Sequence, residues 1–220
     1  MTDQSHDGHP QLSKHRIEAL VDGIFAVAMT LLVIDLRLPE HGHLASEAAL
    51  RQALLELIPN LISWLISFFV LAIFWIANHR LYSYVRHADQ GLLWLTILNL
   101  AGAALLPFAS ALSSQFPSLT AQLVYSGVMI LMGVSLMLLA RRIHQHPELS
   151  GHPMSHGAFQ ATVARSCGVV AIAALAILVS YYQPRMANAV FILMITLRPI
   201  GNRIERLHAQ KAVKAEQATA

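Results

Sequence analysis

The chain has 220 residues, of which 55% are hydrophobic and only 12% carry a charge, with a formal net charge of +3. A soluble domain carries about 25% charged residues to keep its surface wet, so this composition, with a mean hydropathy of +0.53, excludes an ordinary water-soluble globule and points to a lipid-facing surface. The pI near 9.3 raises nucleic acid as a partner, but the basic residues sit between apolar runs and on the tail, where membrane orientation accounts for them, and no nucleic-acid partner is expected.

The expected fold is an all-α integral membrane protein with six transmembrane helices, because only helices satisfy their own backbone in lipid. Residues 1–14 are polar, rich in His, Asp and Gln, and read as a tail. The first helix is expected from about His15 to Leu38, ending before Pro39. It is too long for a signal-peptide core and lacks a small-residue cleavage site behind it, so it reads as a retained span. A polar stretch from Glu40 to Arg51 follows, with room for a short amphipathic turn, and a second helix from about Leu54 to Tyr84 carries Pro59 where proline is tolerated. The third helix covers about Gln90 to Ser113, with Pro107 near its end. Residues Ser114 to Ser118 make a tight hairpin into a fourth helix over about Leu119 to Arg141.

Arg142 to His156 reads as the longest loop on its side, and a fifth helix spans about Ala158 to Tyr182. The sixth span is short: Met186 to Leu197 is uninterrupted, and as an α-helix it reaches roughly 18 Å, so it must continue past Pro199 toward Ile204. The positive-inside rule puts Lys14, Arg16, Arg80, Arg86, Arg141, Arg142, Arg198, Arg203, Arg206, Lys211 and Lys214 on one side, against Arg37, Arg51 and Arg185 on the other. An even number of spans then leaves both termini cytoplasmic. The expected organisation is a six-helix domain over residues 15–206, with a polar tail over 207–220.

Cys167 is the only cysteine, which leaves no intramolecular disulfide or thiolate metal cluster. The pairs His41/His43 and His144/His146 lack a completing carboxylate or cysteine and read as solvated loop residues. Ser63, Ser67 and Ser126 lack the strand-turn-helix setting of a nucleophile elbow. No catalytic residue, cofactor or metal is assigned.

The first helix stands apart because it carries ionisable groups within a span, which invites a functional reading. At 100° per residue, Val27, Leu31, Ile34 and Leu38 line one face with Gly23 and Thr30 at its border, while Glu18 and Asp22 point the other way. Such a stripe serves equally to face lipid or a neighbouring helix, or to form a hydrophobic constriction around a symmetry axis. Asp22 lies inside the span and needs a hydrogen-bonding or cationic partner. Arg16, Trp75 and His79 are the candidates, with Asn78 and Asn99 nearby. Trp75 and His79, four residues apart, share a helix face. Two readings fit: a polar clamp fixing the first helix on the second and third, or a proton-sensitive switch built on His79.

Arg16-x-x-x-Leu20-Val21-Asp22 followed by Gly-Ile-Phe-Ala-Val-Ala-Met-Thr-Leu-Leu-Val resembles the Arg-x-x-x-Phe-Ser-Asp signature of the transmembrane protein 175 family, endosomal and lysosomal potassium channels with bacterial relatives. Phe74-Trp75-Ile-Ala-Asn78-His79-Arg80 is similar to the family's Trp-x-x-His-His stretch, and Leu105-Leu106-Pro107-Phe108 to its Leu-Pro-Phe element. The resemblance covers the first three helices. It implies a potassium-permeable cation channel, a homotetramer of six-helix subunits in a bacterial-type inner membrane. The first helix would line the pore, without the Thr-Val-Gly-Tyr-Gly filter, which this sequence lacks. Mapped from Asp22, the constriction falls on Val27, with further apolar layers at Leu31 and Ile34 and the Thr30 hydroxyl close to the narrowest point. Leu20 and Val21 depart from the signature, so hydrogen bonding near Asp22 is expected to differ, and Val27 stands where the family usually has a larger Ile or Leu, a change expected either to widen the closed pore or to weaken its discrimination among cations. A proton-conducting or proton-coupled protein, built on Asp22, His79 and Asp35, and a non-conducting scaffold or intramembrane enzyme are the rival readings.

Overall fold

The computed structural model describes residues 14–37 and 46–219, without the side chains of residue 209 and residues 211–219. Most of the polar N-terminal segment, Leu38 and the His41/His43 pair lie outside the described residues. The described chain is helical: α1 Lys14–Leu31, α2 Glu47–Glu56, α3 Ile58–Tyr82, α4 Gln90–Gln115, α5 Leu119–Gln145, α6 His156–Tyr182 and α7 Met194–Thr219, with short 3-10 segments between some of them. Five of these segments are long and apolar enough to cross a membrane: α1 with its 3-10 extension, α3, α4, α5 and α6.

Helix starts follow the local chemistry. Ser46, Asp89, Ser118 and Ser155 each accept a hydrogen bond from a first-turn amide of α2, α4, α5 or α6, satisfying a donor that has no intrahelical partner. Pro59 sits in the first turn of α3, where its missing N–H costs nothing. The polar stretch from Glu40 to Arg51, expected to have room for a short amphipathic turn, holds the first half of α2, a separate helix that turns into α3 at Leu57.

The largest departure lies after α6. Pro184–Leu193 winds as a 3-10 helix of 10 residues, followed by α7 with Pro199 inside it. A 3-10 helix rises about 2.0 Å per residue, so this segment alone covers roughly 20 Å, more than an α-helix of equal length. Asn188 ties it down by donating to Ser63 Oγ (3.2 Å) and Ser113 Oγ (3.0 Å), and Phe191 packs on Tyr125 with ring centroids 5.0 Å apart. The polar tail expected from residue 207 continues α7 through Thr219.

The core lies where α4, α5 and α6 pack side by side, with α1 laid against α3 and α4. Buried polar groups pair across helices. Asn99 accepts from Asn78 Nδ2 (2.9 Å) and donates to Met132 O (3.1 Å) and Ser135 Oγ (2.8 Å). Ser67 hydrogen-bonds Ser110 (2.8 Å) and the Tyr125 hydroxyl (3.1 Å). At one end the α3–α4 and α5–α6 loops pair: Arg86 N donates to Leu149 O at 2.8 Å and Gly151 N to Tyr84 O at 3.0 Å.

At that same end Asp89 caps α4 and forms an ion pair with Arg142, whose Nε donates to both carboxylate oxygens (3.2 and 3.1 Å) and whose NH2 joins Oδ2. The Arg142 hydrogen bond holds the Asp89 carboxyl below its ordinary value. The stabilisation is therefore complete above the unfolded carboxylate value of about 3.9 and is lost as pH falls below it. Asp89→Asn keeps the cap and deletes the pair. We expect it to cost about 0.5–1 kcal/mol at pH 7, the pair being about one-third exposed, with the gap between wild type and variant in thermal unfolding narrowing as pH falls below about 3.9; a gap that stays constant as pH falls would assign the loss to something else.

Candidate pore helix and its polar contact

Helix α1 has two unlike faces. Ile17, Val21, Phe25, Ala28 and Leu32 are buried against the rest of the chain. On the other side Val27, Leu31 and Ile34 are 55%, 43% and 52% exposed, and Leu20 is bare as well. An apolar row in a single chain is covered in the membrane either by lipid or by protein. Thr30 stands in the row, also exposed, and its hydroxyl donates to Val27 O at 2.8 Å. Its proton is thereby engaged on its own helix, leaving the oxygen lone pairs free to accept.

After Leu31 the helix tightens to a 3-10 turn over Leu32–Asp35. With three residues per turn, positions i and i+3 eclipse, so Leu31 and Ile34 stack along the axis. Arg37 follows, donating from Nε to Ile34 O at 3.3 Å.

Of the groups expected around Asp22, the structure brings one to it: Trp75 Nε1 donates to Asp22 Oδ1 at 2.8 Å. His79 lies beside Trp75, ring centroids 6.1 Å apart, but among the described residues neither His79 nor Arg16 forms a hydrogen bond or ion pair with Asp22. Arg16 precedes Asp22 by six residues, about 9 Å along the axis and two-thirds of a turn from its face, which explains the separation. Asn78 and Asn99 form the separate buried link described above, because Asn78 sits about 60° around α3 from Trp75 and meets α4. Glu18, in the same helix, pairs with Lys14 (3.6 Å) and with His15 (3.7 Å).

This arrangement, a helix with one bare apolar face held by a single inter-helix carboxylate bond, falls inside a recognised sequence region. Residues 16–107 match the family described as Endosomal/lysosomal potassium channel TMEM175. The fold matches the crystal structure of a lysosomal potassium-selective channel TMEM175 homolog from Chamaesiphon minutus, with a TM-score of 0.72 and 25% identity over 86% of this chain and 98% of that one. The match over residues 16–107 and the likeness of the fold both support the TMEM175 family. A potassium channel of Streptomyces collinus is 33% identical over 129 residues, 56% of this chain and 61% of that protein. The chicken endosomal/lysosomal proton channel TMEM175 is 36% identical over 110 residues, 48% of this chain and 22% of that protein. The chain thus matches about six tenths of the length of the Streptomyces channel and about a fifth of the chicken one. The TMEM175 match begins at Arg16 and contains α1, α2, α3 and α4 as far as Pro107, so both partners of the Asp22–Trp75 bond and the whole bare row of α1 fall within it.

Proposed function

We propose that this protein is one subunit of a homotetrameric, potassium-permeable channel of a bacterial-type inner membrane, with α1 lining the pore. The observation that carries the reading is the exposed row Val27, Leu31 and Ile34 on the helix that bears the family signature, opposite a buried face that leaves the row free for symmetry mates. Four copies around an axis would close a ring at Val27 with further layers at Leu31 and Ile34. Such a ring resists wetting and so resists ions. The Thr30 oxygen, its proton turned back on Val27, would offer lone pairs to a cation beside the ring. The 3-10 segment Pro184–Leu193 and the start of α7 together supply a sixth crossing within residues 15–206, and both termini are then cytoplasmic. Asp22 and Trp75 act as the clamp that fixes α1 on α3.

Proton conduction is the second reading, favoured by the likeness to the chicken proton channel and by the carboxylate on α1. One experiment separates the two: gradient-driven flux in liposomes, with potassium, sodium and proton arms. We expect potassium flux in wild type and at least a tenfold loss in Val27→Trp, where a bulky ring would occlude the narrowest layer. Unchanged flux in the variant would remove Val27 from the constriction. Flux of protons alone, abolished by Asp22→Asn, would instead establish the second reading.

A further inference from the structure

A cavity of about 520 Å³ opens between α3, α5, α6 and α7, and no residue of α1 lines it. Its walls are apolar, including Phe69, Ile73 and Val169, but one end gathers three arginines, Arg80 of α3, Arg165 of α6 and Arg198 of α7, against one acid, Glu205. Guanidinium groups within or beside a bilayer are costly without an anion, and this end has two more positive than negative side chains.

Arg165 is the one of the three with a buried guanidinium nitrogen left unpaired. Its NH2 donates to Asn202 Oδ1 at 2.9 Å, yet its buried Nε has no hydrogen-bond partner. Gly201 of α7 explains how it fits: a Cβ there would overlap the Arg165 guanidinium, so the glycine leaves a notch in which the group lies. A planar guanidinium recognises a phosphate through paired, charge-assisted hydrogen bonds.

We propose that this cavity is a binding site for an anionic phospholipid, with its phosphate held by Arg80, Arg165 and Arg198 and an acyl chain laid along the Phe69 and Ile73 wall. The volume lies within the range of ligand pockets, about 300–1,000 Å³, and basic pockets between transmembrane helices are where anionic headgroups bind. The net positive end selects against a zwitterionic lipid, whose own ammonium would be repelled. The site tethers α7, which crosses Gly201, to α3 and α6.

The test is native mass spectrometry of the intact protein in micelles containing equal amounts of phosphatidylglycerol and phosphatidylcholine. Wild type is expected to retain phosphatidylglycerol at least fivefold over phosphatidylcholine. Arg165→Gln should abolish that preference, and Arg80→Gln and Arg198→Gln, both at exposed positions that leave the core untouched, should each cut it severalfold. Arg185→Gln, exposed beyond the far end of α6, should leave it unchanged. Equal retention of the two lipids, insensitivity to the exposed-arginine variants, or an equal loss in Arg185→Gln would overturn the proposal. So would displacement of the lipid by millimolar inorganic phosphate, which would mark a free-phosphate site, or absence of any lipid from an assembled oligomer, which would mean that a second copy covers the cavity. The readout is binding and stands whether or not the protein conducts.

Discussion

Asp22→Ala is expected to lower the unfolding free energy by about 1–2 kcal/mol in detergent, with a coupling of about 1 kcal/mol to Trp75→Phe in a double-mutant cycle. Hydrogen bonds to a charged acceptor contribute roughly 1.5–3 kcal/mol when shielded. This one is discounted because Trp75 is 38% exposed in the single subunit. Truncating the acid leaves the indole N–H without its acceptor, while truncating the indole leaves a carboxylate in a span without its donor. Either change loosens α1, since the remaining α1 contacts to α3 are apolar and tolerate sliding. The cycle discriminates among the residues first considered as partners: His79→Ala and Arg16→Ala should add to Asp22→Ala without coupling, because neither side chain reaches the carboxylate. Additive behaviour of Asp22→Ala with Trp75→Phe, within about 0.3 kcal/mol, would end the clamp reading.

The sequence carries the Asp22–Trp75 contact only as one of several possibilities, and the reason is geometric. Helical periodicity assigns a residue to a face, so it separates Val27, Leu31 and Ile34 from Asp22 without knowing how α1 is rotated against α3. That rotation comes from packing of Phe25, Ala28 and Leu32, which are buried to 1% exposure or less. The five long apolar segments were legible for the opposite reason: lipid demands continuous apolar length whatever the packing. The 3-10 stretch Pro184–Leu193 was not legible, because runs of this length are uncommon and its apolar residues suit an α-helix equally. Its stabilisation is tertiary, through Asn188 to Ser63 and Ser113, partners 125 and 75 residues away in the chain. The start of α2 was obscured by the polar composition around Ser46, although Ser46 followed by Glu47 is a recognisable helix start. The arginine-lined cavity joins residues from four separate helices, and no sequence spacing announces it.

Replacing the bare row with polar groups should act in the opposite direction to a bulky Val27. In the double variant Val27→Ser with Ile34→Ser, potassium flux in liposomes is expected to rise at least tenfold, with sodium rising by a larger factor. In a four-fold assembly each substitution is repeated around the axis, so eight apolar side chains become hydroxyls at once. Full burial of one such side chain is worth about 1.5–3 kcal/mol, and even a fraction of that, summed over the ring, stabilises water in the constriction by several kcal/mol. Each 1.36 kcal/mol removed from a barrier is tenfold in rate, which makes tenfold a conservative expectation. The discrimination falls because a wetted ring lets an ion keep more of its hydration shell, and sodium, the more tightly hydrated ion, gains most. Because Val27 and Ile34 are exposed within the subunit, their replacement leaves its core intact, so a fall in flux cannot be attributed to unfolding if thermal melts match the wild type. Flux that stays level in a folded variant would mean that the row faces lipid and that the ions, if any, pass elsewhere.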